Sequence, residues 1–212
     1  MFDTILFDLD GTLTNPFVGI TGGVMYALGE LGYDCPPREE LTSFIGPPLF
    51  DEFTRRFGMN EDTAREAVRL YRVYYAERGL YENELIGGAE KLLAELKRKG
   101  KRICLATSKP LAFAEKILQY FKVDGYFDHI GAATMDGKIG TKEEVIRLVL
   151  ENTGAKPREC LMVGDRFHDI VGAHKTGMEC AAVLTGFGSW EEFEEYGADH
   201  ICGSLSEVAE LV

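Results

Sequence analysis

Short apolar runs alternate with amphipathic stretches along most of this chain, and that alternation narrows the fold more than any other feature. The runs are Thr4-Ile5-Leu6-Phe7, Arg102-Ile103-Cys104-Leu105-Ala106, a weaker one from Phe127 to Ala132, Cys160-Leu161-Met162-Val163, Cys180-Ala181-Ala182-Val183-Leu184 and a short His200-Ile201-Cys202. Each is bounded by Gly or charge and is too short for a buried helix, which suits strands covered on both faces. Between them Leu92, Leu93 and Leu96, then Ala114, Ile117, Leu118 and Phe121, then Val145, Ile146, Leu148 and Val149 follow the 3.6-residue period of amphipathic helices. Gly100 and Gly154 stand where C-caps belong, and Pro110 where a first-turn proline belongs. The alternation predicts an α/β fold, a doubly wound parallel sheet with helices on both faces.

Residues 14–85 break the rhythm. They contain no strand-like run and read as helices over about 17–31, 48–57 and 61–79, interrupted at Pro36-Pro37 and Gly46-Pro47-Pro48. Their basic residues are all Arg, and six of the nine Tyr fall here. This composition shift predicts an α-helical cap domain over 14–85, inserted into a core made of 1–13 and 86–212.

Charge and targeting signals exclude several classes of function. Of the 212 residues, 23 are Lys or Arg against 35 Asp or Glu, a net charge of −12. That balance opposes a nucleic-acid partner and an anionic membrane surface, both of which need clustered basic residues. The start of the chain lacks a signal-peptide pattern, and no apolar run reaches the ~18 residues of a membrane span. Five cysteines without a CxxC pair point to free thiols and a reduced, cytoplasmic compartment.

The chemistry concentrates at the ends of the apolar runs. Asp8-Leu9-Asp10-Gly11-Thr12 follows the first run, where doubly wound folds build sites. Two Asp on one side of the chain repel each other and need a cation or a proton; the plainer reading is an Asp-Gly turn. Gly164-Asp165 with Asp169 follows a later run, and a first-turn acid such as Asp169 is also a plain helix-dipole choice. Four carboxylates at two strand ends suit Mg²⁺. Thr107-Ser108-Lys109-Pro110 ends one run at the start of a helix, a place that binds an anion or is simply capped. Lys142 opens a helix after Gly140, where a solvated surface charge is the ordinary reading.

In this order the motifs resemble the haloacid dehalogenase superfamily of phosphatases, over essentially the whole chain. Asp8 to Thr12 look like its first motif, Thr107 its second, Lys142 its third, and Gly164-Asp165 with Asp169 its fourth. Phe44-Ile45-Gly46-Pro47-Pro48-Leu49 and Thr107-Ser108-Lys109-Pro110 look most like phosphoglycolate-phosphatase-like members and their 5′-nucleotidase-like neighbours. Thr14-Asn15 replaces an Asp-Ser common among relatives, and Thr141-Lys142-Glu143 departs from their Lys-Pro pair, so Lys138 is a minor rival to Lys142.

The resemblance implies Asp8 as nucleophile, Asp10 as general acid and base, and Thr107, Ser108 and Lys142 on the phosphoryl oxygens. It implies Mg²⁺ on Asp8, the Asp10 carbonyl and Asp165, with Asp169 as ligand or support. Gly11, Thr12 and Lys109 complete the expected substrate contacts. The cap would select a small phosphorylated metabolite through a loop at Gly46 and through Arg55 or Arg78 meeting a substrate carboxylate; Tyr71, Tyr74, Tyr75 and Arg78 share one helix face. A phosphomutase shares all four motifs. A haloacid dehalogenase has no need of Asp10, and a phosphonate hydrolase would need a cap Lys. A receiver domain would lack the cap, and a non-catalytic phosphate-binding module would lack a member of the set.

Overall fold

The computed structural model describes residues 2–212. Strand β1 (Thr4–Phe7) leads through the short strand β2 (Thr14–Asn15) into α1 (Phe17–Glu30), a 3₁₀ helix over Arg38–Phe44, α2 (Leu49–Phe57) and α3 (Glu61–Tyr74). Strand β3 (Glu84–Leu85) leads back to α4 (Ala89–Arg98), β4 (Arg102–Pro110), α5 (Leu111–Tyr120), β5 (His129–Ala133) and α6 (Lys142–Thr153). Then follow β6 (Cys160–Gly164), α7 (Phe167–Thr176), β7 (Glu179–Val183), α8 (Trp190–Glu195), β8 (His200–Cys202) and α9 (Leu205–Val208). The chain divides into two compact units, the segment up to Asn15 with Leu85–Val212, and Pro16–Glu84.

The first unit is a six-stranded sheet in the order β5-β4-β1-β6-β7-β8. Every neighbouring pair is parallel. All four residues of β1 are buried, as expected for a strand covered on both faces. Leu6, Cys104, Ala106, Met162, Cys180 and Ala182 form one core with Val145, Ile146 and Val149 of α6 and Ile170 and Ala173 of α7. Alternate residues Ile5, Phe7, Ile103, Leu105, Leu161 and Val163 are equally buried. Alternation along a strand places them on the opposite face. The short helices α8 and α9 carry too few turns to show a period in the sequence.

The second unit is helical. Phe44 meets Phe53 edge-on at 4.9 Å, and Tyr71 stacks on Tyr75 at 5.3 Å. Asn60 caps α3 by accepting from the Thr63 N–H. Between residues 14 and 85 the sequence shows no strand, yet the short strands β2 and β3 pair at the ends of that segment; two helical elements differ as well. The stretch after Pro36-Pro37 winds into a seven-residue 3₁₀ helix instead of staying open. The third helix stops being α-helical at Tyr74 and continues to Gly79 as a π-turn, whose wider turn takes up an extra residue.

All five cysteines are free, and four of them are buried. Burial pushes the Cys104 thiol up to about 12 and those of Cys160 and Cys202 to about 11. A thiol titration with a disulfide reagent is therefore expected to count one thiol, Cys35, in the native protein and five after denaturation. A native count of two or more contradicts this packing.

Candidate active site

Sheet register brings the motifs together. Phe7 pairs with Leu105 on one side and Val163 on the other. Asp8 and Asp165 thus follow the carboxyl ends of β1 and β6, Thr107 lies two residues past Leu105 in β4, which runs between β1 and β5, and the Asp8 N–H is held by the Val163 carbonyl at 2.9 Å. The chain runs outward from β1 through β4 to β5, then returns to β6 and runs outward the other way. Such a reversal opens a crevice at the carboxyl ends of the strands.

Two helix starts supply the remaining groups. Thr141 and Glu144 form a capping box, with the Glu144 carboxylate accepting from the Gly140 and Thr141 N–H groups at 3.0 Å each. This pins the first turn of α6 and turns Lys142 inward, where it is 6% exposed. In α7, Asp169 Oδ2 accepts from the backbone N–H groups of Asp165 (3.2 Å) and Arg166 (3.1 Å).

Lys142 is the hub. Its Nζ donates to the Ala106 carbonyl at 2.9 Å and lies 2.8 Å from Asp8 Oδ1 and 2.9 Å from Asp169 Oδ1. Asp165 accepts from the Thr12 hydroxyl (3.1 Å) and the Phe187 N–H (2.8 Å). Asp10 Oδ2 lies 2.5 Å from Lys109 Nζ. Thr107 Oγ1 accepts from the Lys109 N–H at 3.2 Å, which leaves the hydroxyl proton for another acceptor.

Four buried carboxylates face two buried ammonium groups, an excess of two negative charges. Burial raises Asp10, with Lys109 pulling the other way. Burial, then Asp169 and Asp8, hold Asp165 well above the carboxylate range. Burial lifts Asp169 to about 6 despite Lys142. Burial disfavours the Lys142 ammonium too, but Asp169 and Asp8 outweigh it and keep Lys142 charged. Two protons or one divalent cation would cancel the excess. Among the described residues, Asp8, Asp165 and Asp169 each offer an oxygen within 4.8 Å of the others. Asp8 Oδ1, Asp10 Oδ1 and Asp169 Oδ1 are buried without an aligned hydrogen-bond donor. An all-oxygen set of this kind, with unsatisfied carboxylates, fits Mg²⁺.

Asp8, Asp10, Thr12, Thr107, Lys142, Asp165 and Asp169 thus converge in one unit, while Lys138 stays exposed with Asp136 at 3.0 Å. Gly11 is wedged against Asp165, where a Cβ would sit 2.1 Å from Oδ2. Ser108 is half-buried on β4, which stays extended through Pro110, so Pro110 stands just before α5 and not inside its first turn. The residue before a proline avoids helical geometry, which explains the extension. Lys109, expected on substrate, has its ammonium on Asp10. Gly46, Arg55 and Arg78 belong to the other unit. Gly46 takes a φ of +105°. Arg55 is paired with Glu52 at 2.7 Å, and Arg78 is exposed. The shared tyrosine face is packing: Tyr71 and Tyr75 are buried, and Tyr74 donates to Glu82.

Sequence reasoning missed Gly186 and Phe187. The Phe187 N–H holds Asp165, and a Cβ on Gly186 would fall 2.2 Å from Asp165 Oδ2. The signal was the Gly186-Phe187-Gly188 triplet just past an apolar run.

Residues 5–183 match the haloacid dehalogenase-like hydrolase family. A 5′-nucleotidase of Pseudomonas aeruginosa is 42% identical over 100% of this chain and 96% of its own. The tyrosine-protein kinase PtkA of Mycobacterium tuberculosis is 38% identical over 87% of this chain, which spans 62% of that protein. The crystal structure of a predicted phosphatase from Clostridium acetobutylicum superposes with a TM-score of 0.96 at 40% identity, covering 100% of this chain and 98% of that one. With its motifs on neighbouring strands and a family match over residues 5–183, the chain belongs to the haloacid dehalogenase-like hydrolases, as a phosphatase.

Proposed function

We propose that the chain hydrolyses phosphate monoesters of small metabolites, with Mg²⁺, through an aspartyl-phosphate on Asp8. The carrying observation is the buried cluster in which Asp8 lies beside Lys142, Asp165 and Asp169 with Asp10 one turn residue away. Asp8 attacks phosphorus with a carboxylate oxygen. Asp10 protonates the leaving oxygen, then accepts a proton from the attacking water. Lys142, the Thr107 hydroxyl and the Ser108 N–H bind the phosphoryl oxygens, and removing one such donor is worth roughly 10²–10³ in rate. Mg²⁺ held by Asp8, Asp165, Asp169 and the Asp10 carbonyl would neutralise charge between the carboxylates and the phosphate.

Nucleoside 5′-monophosphates are the first substrates to test, because a relative 42% identical over 100% of this chain is a 5′-nucleotidase. Phosphoglycolate is the second reading, since an Arg of the helical unit would fork onto its carboxylate. Arg55 is already held by Glu52, which makes Arg78 the residue to substitute first. A phosphomutase reading differs only in which acceptor takes the phosphoryl group from Asp8. No helix is long and apolar enough to cross a membrane, and five free thiols favour a cytoplasmic setting.

The test is inorganic phosphate release from a panel of p-nitrophenyl phosphate, nucleoside monophosphates and phosphoglycolate. Release is expected with Mg²⁺ and lost on chelation. Mg²⁺ at a hundredfold above its Kd is expected to stabilise the fold by about 2.7 kcal/mol. No release from any ester with metal present sinks the proposal.

A further inference from the structure

We propose that Lys109 is a positioning residue for Asp10: it holds Oδ2 and so makes Oδ1 the oxygen that gives and takes the proton. This rests on the reading of Asp10 as the acid and base of the reaction. The two residues are 99 positions apart, and both side chains are buried, 5% and 10% exposed. Each is mounted on fixed backbone. Lys109 lies two residues beyond Thr107 on β4, with its N–H bonded to the Thr107 hydroxyl oxygen. Asp10 sits in a turn closed by the Gly11 N–H on the Thr14 carbonyl at 2.7 Å and the Leu13 N–H on the Leu9 carbonyl at 2.9 Å.

The two oxygens of Asp10 are therefore not equivalent. Oδ2 faces an ammonium, which only donates and cannot accept a hydrogen bond. A proton on Oδ2 would point donor against donor. Oδ1 is buried and has no partner among the described residues. In the first step an Asp8 oxygen bonds to phosphorus, the bond from phosphorus to the leaving oxygen breaks with its electron pair on that oxygen, and the Oδ1 proton moves to it. In the second step Oδ1 takes a proton from water as the water oxygen bonds to phosphorus and the acyl-phosphate bond breaks back to the Asp8 carboxylate. A general acid is useful only when held in line with its acceptor, and a positioned one contributes roughly 10²–10⁴-fold.

The experiment compares two leaving groups in Lys109→Met. p-Nitrophenolate leaves unprotonated, whereas the alkoxide of a nucleoside or glycolate phosphate needs the proton. The ratio kcat/KM, which reports transfer to Asp8, is expected to fall about 10–100-fold further for the alkyl ester than for p-nitrophenyl phosphate. Asp10→Asn should show the same bias, and Asp10→Asn/Lys109→Met should lose no more than Asp10→Asn. The double variant should also melt above Lys109→Met, which strands a buried carboxylate, and this readout stands even if the single variant folds poorly. Equal losses on both esters would make Lys109 a phosphate ligand and overturn the proposal. So would additive losses in the double variant, or a double variant melting below Lys109→Met. A wild-type protein that hydrolyses neither ester is a different failure, that of the phosphatase reading, and the proposal falls with it.

Discussion

Asp8→Asn is expected to abolish turnover, by roughly 10⁴–10⁶-fold, the range seen when a nucleophile is removed from a covalent mechanism. The amide matches the carboxylate in shape, and the Asp8 backbone stays tied to Val163. What disappears is the oxygen anion that can bond to phosphorus. The substitution also removes one of the two anions facing Lys142, but Asp169 remains at 2.9 Å to balance it. Activity and stability should therefore separate: no phosphate release, little change in melting temperature. Rapid quench with labelled substrate should trap a hydroxylamine-labile phosphoenzyme in wild type and none in the variant. Residual turnover within about a hundredfold of wild type would remove Asp8 from the role of nucleophile.

The parts of this site that are legible in the sequence are those that follow a strand. Asp8 and Asp165 each come straight after an apolar run, and a parallel register makes such positions neighbours. Lys142 is legible only in part: Gly140 marks a helix start, but the inward turn of the side chain follows from the Thr141/Glu144 capping box that the fold forms there. The partner of Lys109 is not readable. Its sequence neighbours suggest a phosphate contact, while the ammonium pairs with an acid 99 residues away. Backbone donors are invisible for another reason: the Phe187 N–H contributes through chain path, not side-chain identity. In the helical unit, Tyr71 and Tyr75 read from the sequence more as core than as ligand contacts, and their burial and 5.3 Å stack place them in the core. Periodicity finds α-helices well but carries no mark for the 3₁₀ helix at Arg38–Phe44 or the π-turn at Tyr75–Gly79.

Lys142→Met should cost about 3–5 kcal/mol of stability in metal-free protein, because removing one partner of a buried ion pair leaves the other charge stranded. For a chain of this length that is a fall of roughly 6–20 °C in melting temperature. Met matches the stem of Lys142 in length, so the loss reports charge and the Ala106 hydrogen bond more than volume. Asp169, deprived of the Lys142 ammonium that pulls its pKa down, should hold its proton more strongly in the folded state than when unfolded. Such groups destabilise the fold above their folded pKa and cease to as they protonate. Asp169 already stands at about 6 in wild type. The penalty should therefore be largest above neutrality and shrink as pH falls through that region. A divalent cation offers the same relief by another route, so the melting shift between chelator and Mg²⁺ should be larger in Lys142→Met than in wild type. A penalty that is small, or indifferent to both pH and metal, would mean that Lys142 does not neutralise this cluster. With Mg²⁺ bound the variant should be folded yet slow, since its phosphate-binding ammonium is gone while its carboxylates are again balanced.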